Sequence, residues 1–157
     1  METIIVTGTP CTGKTTLAKE IAKRFKFKYV DANKIVKDND LSDGYDKERD
    51  CEIVDVKNLN RVLKAIIKEE YKVVIDSHLS HELPNDLVDL CIVTKCNLKE
   101  LEKRLKERDY SKEKIRENLD SEIFDICFVE AKENNHEILI IETDMGIPWD
   151  ELAKRFK

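Results

Sequence analysis

Gly8-Thr9-Pro10-Cys11-Thr12-Gly13-Lys14-Thr15 fits the pattern G-x-x-x-x-G-K-[ST] in full. The pattern has a physical basis: successive backbone N–H groups wrap a β-phosphate, and small residues let the chain approach it closely. Gly13 leaves room for that approach, and the helix expected after it adds the positive end of its dipole. Lys14 places a charge between the β- and γ-phosphates, the Thr15 hydroxyl reaches Mg²⁺, and Thr16 is placed for the α-phosphate. Cys11 lies inside the same loop. A chance match in an ordinary turn is the alternative, and the flanking strand and helix patterns argue against it.

Further along, Asp76 ends the apolar run Val73-Val74-Ile75. A carboxylate there matches the acid that holds Mg²⁺ beside a phosphate loop, although such an Asp is otherwise a helix cap or turn residue. If the strand runs on, His78 points to the same side as Asp76 and can orient a water or an acceptor oxygen; otherwise it is a loop histidine. His81 resembles half of a metal site, with no further ligands clustered near it in the sequence. Arg104 and Arg108 sit four apart, on one face of a helix, where arginines can neutralise charge developing on a transferred phosphoryl group. The charged residues around them fit a merely solvated helix as well. Asp31, Asn33, Gly44, Tyr45, Asp46 and Arg49 lie in a polar stretch that offers groups for a base and a phosphate, or is only a solvated loop.

These groups need a scaffold, and the apolar pattern supplies one. Ile4-Ile5-Val6, Tyr29-Val30, Val73-Val74-Ile75, Leu90-Cys91-Ile92-Val93 and Ile138-Leu139-Ile140-Ile141 read as five buried parallel strands. Between them, Leu17, Ala18, Ile21, Ala22 and Phe25 recur at helical spacing, as do the apolar residues from Val56 to Ile67. A charged helix is expected from Leu98 to about Arg108, and one continuous helix from Lys112 to Glu133 with Ile115, Leu119, Ile123, Ile126 and Cys127 inward. Trp149, Leu152, Ala153 and Phe156 are expected to face inward from a terminal helix. The alternation predicts an α/β three-layer sandwich of the P-loop NTPase kind, a five-stranded parallel sheet with helices on both faces. A single domain over residues 1–157 follows, interrupted by two polar insertions, one after the second strand and one near Arg108-Asp109-Tyr110-Ser111.

Composition narrows the classes. Only four residues are glycine and three proline, which excludes fibrous and linker-rich architectures. The net charge of −5 lacks the global basic field of a protein that grips nucleic acid by its phosphates. Five cysteines without a C-x-x-C pair argue against a disulfide framework or zinc site, so a reducing cytoplasm is the expected compartment. No run is long enough to span a membrane, and none reads as a signal peptide.

The matching segments together are more specific than the loop alone. Gly-Thr-Pro-Cys-Thr-Gly-Lys-Thr-Thr at 8–16, Asp-Gly-Tyr-Asp at 43–46, Asp50-Cys51, Asp76-Ser77-His78, Arg104 to Ser111, Glu117-Asn118 and Glu122-Ile123-Phe124 run in order over nearly the whole chain. The chain resembles the adenylate kinase isoenzyme 6-type family, small nucleoside monophosphate kinases of archaea and eukaryotes. That resemblance implies a monophosphate-binding insertion near residues 31–54, with Asp31, Asn33, Gly44, Tyr45 and Arg49 as its substrate contacts, and a LID near 107–117. It implies reversible transfer of the terminal phosphate of ATP to AMP or another monophosphate, with a slower ATPase. Lys14, Asp76, His78 and Arg108 would serve turnover, Thr15 and Asp76 would hold Mg²⁺, and Cys11, Gly13, Lys14, Thr15, Thr16 and Arg108 would bind ATP. It also implies a monomer that meets a small-subunit ribosomal protein, and transiently pre-ribosomes, during rRNA processing. The family commonly has Gly where this chain has Cys11, and often an aromatic residue where it has Ser77. Two alternatives stand beside this reading. One is an ATPase switch for ribosome assembly without significant kinase activity. The other is a small-metabolite kinase of the shikimate type, which Asp31-Ala32-Asn33 and Asp76-Ser77-His78 fit poorly.

Overall fold

The computed structural model describes residues 2–156, so the outer bounds of the expected domain, Met1 and Lys157, lie outside the described residues. The elements run β1 (Glu2–Gly8), α1 (Lys14–Phe25), β2 (Lys28–Asp31), α2 (Ala32–Asp38), β3 (Ser42–Asp46), β4 (Cys51–Val54), α3 (Val56–Glu69), β5 (Lys72–Asp76), β6 (Leu90–Lys95), α4 (Leu98–Glu107), α5 (Lys112–Ile123), α6 (Ile126–Glu133), β7 (Ile138–Glu142) and α7 (Trp149–Arg155). The five parallel strands lie in the order β2-β5-β1-β6-β7, so the strand that feeds the phosphate loop is central. In that register Val6 sits beside Asp76, and Asp31 beside Asp76 from the other side. The carboxyl ends of three adjacent strands therefore meet at one edge, where ligands bind in sheets of this kind.

Consecutive strand residues point to opposite faces, and both faces are covered, which is why the runs are continuously apolar. Ile4, Val6 and Ile92 pack with Leu17, Ile21 and Leu152 on one face. Ile5, Ile75 and Val93 pack with Leu59, Leu63 and Ala131 on the other. A third cluster, around Leu101 and Leu105, joins α4 and α5 and reaches Cys11 and Tyr110.

Three sequence expectations need correction. The polar stretch after β2 is not a plain loop: it holds α2, capped by Asp31, and the antiparallel hairpin β3–β4. The helix expected from Lys112 to Glu133 is two helices, broken at Asp125, whose φ is 53°. Lys95, at the end of β6, pairs with Asp125 and lies 3.2 Å from Glu122, and holding both carboxylates turns the chain there. As a result Ile123 and Ile126 face solvent rather than the core. In α7, Leu152 and the following Phe156 are buried, but Ala153 is exposed. Among the described residues, no helix is long and apolar enough to cross a membrane.

Candidate active site

The loop between β1 and α1 is shaped by its glycines, by its own Thr12 and by two threonines from elsewhere, Thr94 on β6 and Thr143 just past β7. Gly8 has φ 150°, and a Cβ there would lie 2.7 Å from the Thr94 carbonyl oxygen on β6. Gly13 (φ 93°) caps α1. Thr12 Oγ1 donates to the Thr9 carbonyl at 2.6 Å and shares a hydrogen bond with Thr94 Oγ1 at 2.7 Å. Thr143 Oγ1, just past β7, donates to the Thr12 carbonyl at 2.5 Å. Cys11 adopts a left-handed conformation (φ 69°), which costs a residue bearing a Cβ on the order of 1–2 kcal/mol. The Arg104 guanidinium donates to the Cys11 carbonyl at 3.2 Å while its Nε pairs with Glu100 at 3.0 Å.

The Lys14 side chain is half-buried, with its ammonium folded back under the loop, donating to the Gly8 and Thr9 carbonyls at 2.9 and 3.2 Å. Desolvation there lowers its pKa, and the nearby Cys127 and Asp76 oppose the shift. Asp76 is only 6% exposed. Its Oδ2 accepts from Thr15 Oγ1 at 2.6 Å and from the Tyr29 hydroxyl at 2.9 Å. A buried carboxylate beside a threonine hydroxyl at the head of a helix is an all-oxygen donor pair, which fits a hard cation such as Mg²⁺. Desolvation and the hydrogen bond to Asp76 raise the Tyr29 pKa.

His78 does not continue the strand, because β5 ends at Asp76. The turn is instead pinned to β1: Ser77 N donates to the Val6 carbonyl at 3.2 Å, and Thr7 Oγ1 donates to the His78 carbonyl at 3.4 Å. Desolvation and the Lys14 charge lower the His78 imidazole to about 4, although the residue is exposed. It is therefore neutral at neutral pH.

The other expected residues are spread around this centre. Thr16 is exposed in the first turn of α1. Arg108 is exposed at the C-terminal end of α4, and a hydrogen bond to Tyr110 raises its pKa. Asp31 accepts from the Asn33 and Lys34 backbone N–H groups at 2.9 and 3.4 Å, so it is a helix cap here, and Asn33 is exposed. Gly44, Tyr45 and Arg49 belong to the hairpin, where the Tyr45 hydroxyl donates to Asp50 and Arg49 Nε lies 3.9 Å from Asp46. Lys114 of α5 reaches the hairpin turn, donating to the Asp50 carbonyl at 2.8 Å.

Several participants escaped sequence reasoning. In sequence Tyr29 is only a strand residue. Thr7, Thr94 and Thr143 are polar residues at strand ends, a position that could have flagged them. Glu122 stands in one of the matching segments, but its pairing does not show in sequence: it is 7% exposed beside Lys95, and burial pushes its carboxyl up against the pull of Lys95.

A parallel sheet in this order, with Lys14 and Thr15 heading the helix after β1 and Asp76 ending the neighbouring strand, defines a P-loop kinase. Solved structures agree on the fold. The YorR protein of Bacillus subtilis, in complex with phosphorylated GDP, superposes with a TM-score of 0.62 at 17% identity, covering 98% of this chain and 92% of that one. Deoxyadenosine kinase from M. mycoides, with bound dATP, gives 0.58 at 14% identity, covering 99% and 98%. A family model described as an AAA domain matches residues 4–125. The chain is 36% identical over 151 residues to the adenylate kinase isoenzyme 6 homolog of Saccharomyces cerevisiae, covering 96% of this chain and 76% of that protein. It is 34% identical over 140 residues to the Caenorhabditis elegans homolog, covering 88% and 77%. The chain belongs to the adenylate kinase isoenzyme 6 family.

Proposed function

We propose that this chain is a nucleoside monophosphate kinase that transfers the terminal phosphate of ATP reversibly to AMP or another monophosphate, with a slower ATPase. The observation that carries the reading is the Thr15–Asp76 contact of 2.6 Å at the mouth of a complete phosphate loop. Family membership supports the same chemistry.

In this reading the loop N–H groups and Lys14 bind the ATP phosphates, and Thr16 adds a hydroxyl at the head of α1. Thr15 and Asp76 would hold Mg²⁺, which neutralises charge on the phosphates when bound. Cys11 and Gly13 set the loop's curvature. Arg108 stabilises charge on the transferred group from the segment 107–117, which acts as a LID that excludes water. Residues 31–54 form the monophosphate-binding part, with Tyr45 and Arg49 on the hairpin, Gly44 giving its strand freedom, and Asp31 and Asn33 at the head of α2. The hydrogen bond from Lys114 to Asp50 supports this division, because it brings the LID side and the hairpin into contact. His78, neutral at pH 7, orients the acceptor oxygen or a water. Resemblance alone supports a role in small ribosomal subunit maturation, through a small-subunit ribosomal protein.

The test compares ADP formation from ATP plus a panel of monophosphates with phosphate release from ATP alone. AMP-dependent ADP formation is expected, and Lys14→Ala should abolish both activities. Retained activity in that variant refutes the reading. Hydrolysis of ATP with no monophosphate phosphorylated would replace it with the ATPase switch.

A further inference from the structure

Behind the loop, on the α6 side of the sheet, lies a second group of chemistry-bearing side chains. His81 belongs to the single helical turn Ser80–Glu82 that follows β5, and only 2% of it is exposed. Its Nε2 lies 2.8 Å from Glu130 Oε2 on α6 and 3.6 Å from Glu82 Oε1. The three ligand atoms all fall within 4.8 Å of one another. The carboxylates are 44% and 41% exposed, so the cluster opens to solvent although its imidazole is buried.

The imidazole is fixed from behind. Thr7 Oγ1 donates to the His78 carbonyl, which leaves its lone pairs for a proton on His81 Nδ1, 2.9 Å away. With the Thr7 proton on that carbonyl, Nδ1 carries the imidazole proton and the Nε2 lone pair faces the carboxylates. The His81 carbonyl is also held, accepting from Asn134 Nδ2 and His136 Nε2, both at 2.8 Å. Nε2 itself has no hydrogen-bond partner: Glu130 Oε2 is near but out of line. A buried lone pair facing two anionic oxygens is repulsive unless a positive charge stands between them.

We propose that His81, Glu82 and Glu130 form a binding site for a borderline divalent cation of the Zn²⁺ class. With metal–ligand bonds of about 2.0–2.2 Å, donor atoms stand about 2.9 Å apart at right angles and about 3.4 Å apart at tetrahedral angles. The separations of 2.8 and 3.6 Å match the edges of such a polyhedron within a few tenths of an ångström. An off-line carboxylate, poor for a hydrogen bond to Nε2, is what shared coordination requires. Imidazole favours Zn²⁺, Ni²⁺ or Cu²⁺ over Mg²⁺, so the site differs in chemistry from the Thr15–Asp76 pair. The Nδ1–H bond to Thr7 is the kind of support that orients a ligating histidine. Three protein ligands leave room for water. Occupancy ties the turn after β5 to α6, and through Thr7 it reaches the residue next to Gly8.

Co²⁺, as a spectroscopic stand-in for Zn²⁺, tests this on the metal-free full chain without nucleotide. Stoichiometric binding is expected, with a ligand-field spectrum that lacks thiolate charge transfer and is displaced by Zn²⁺. Glu130→Gln and Glu82→Gln should each weaken binding by about tenfold or more, while Asp76→Asn leaves it intact. Circular dichroism checks that the three variants fold. The proposal is overturned if the wild type binds no Co²⁺, which would leave a proton as the bridge. It is also overturned if thiolate charge transfer shows a cysteine site, or if Asp76→Asn and not Glu130→Gln removes binding.

Discussion

Gly8→Ala should destabilise the fold more than alanine at the chain's exposed glycines. A Cβ at Gly8 would lie 2.7 Å from the Thr94 carbonyl oxygen and 2.9 Å from Thr12 Oγ1, and would overlap the Thr94 hydroxyl. The hydroxyls can turn away at the cost of their hydrogen bonds, but the carbonyl belongs to β6 and is fixed by strand pairing. Overpacking of this sort costs about 1–3 kcal/mol. The positive φ of 150° adds backbone strain of about 1–2 kcal/mol, giving about 2–5 kcal/mol in all. Gly146 (φ 90°) has nothing within 4 Å of its Cβ position, so Gly146→Ala isolates the strain at about 1–2 kcal/mol. Urea unfolding followed by circular dichroism reads the difference. With a slope of about 2 kcal/mol per molar, the Gly8→Ala midpoint should drop by about 1–2.5 M, and the Gly146→Ala midpoint by about 0.5–1 M. Adding Thr94→Ala should rescue Gly8→Ala only in part, because the carbonyl contact remains. Equal midpoints for the two single variants, or full rescue, would refute the reasoning.

Other expectations follow from the same geometry. Arg104→Ala removes a charge-assisted hydrogen bond to the Cys11 carbonyl, worth about 1.5–3 kcal/mol, so the dissociation constant for ATP should rise by about tenfold or more in a calorimetric titration; unchanged affinity would show that the loop holds Cys11 unaided. Proton NMR should find the His78 imidazole titrating at about 4, and Lys14→Met should raise that midpoint. Because the unfolded ring titrates near about 6.5, the contribution of His78 to stability is complete above that pH. It falls away as the pH drops from there through the folded value, and His78→Gln should flatten that part of the profile. A midpoint near the ordinary histidine value would remove the Lys14 influence. Phe124→Ser, at a residue 68% exposed, should shift stability by no more than about 0.5 kcal/mol in the same urea assay; a large loss would mean that the side chain is covered in solution.

What could be read from the chain alone was what depends on neighbours in sequence. The phosphate loop is eight contiguous residues, and each parallel strand is a run of apolar residues, because both of its faces are buried. Asp76 was legible because it ends such a run. The break at Asp125 was not, since it carries no Gly or Pro signal and depends on Lys95, thirty residues away. The hairpin hid in a polar stretch because it sits apart from the main sheet, with both strands largely exposed and no alternation to mark them.

The site divides along the same line. Lys14, Thr15 and Asp76 announce their chemistry by type and spacing. Tyr29 on Asp76, Arg104 on the Cys11 carbonyl and Thr143 under the loop do not, because each contact spans from 47 to 131 positions. His81 shows the difference most plainly. In sequence it is half a metal site with no further ligands clustered near it. The packing of α6 against the turn after β5 brings Glu130 to 2.8 Å from its Nε2. Sequence determined which groups could do chemistry and which segments could be strands or helices, since propensity and periodicity are local. The order of the strands and the packing of the helices decided which groups meet, because burial of the two apolar faces fixes distances that no local pattern encodes.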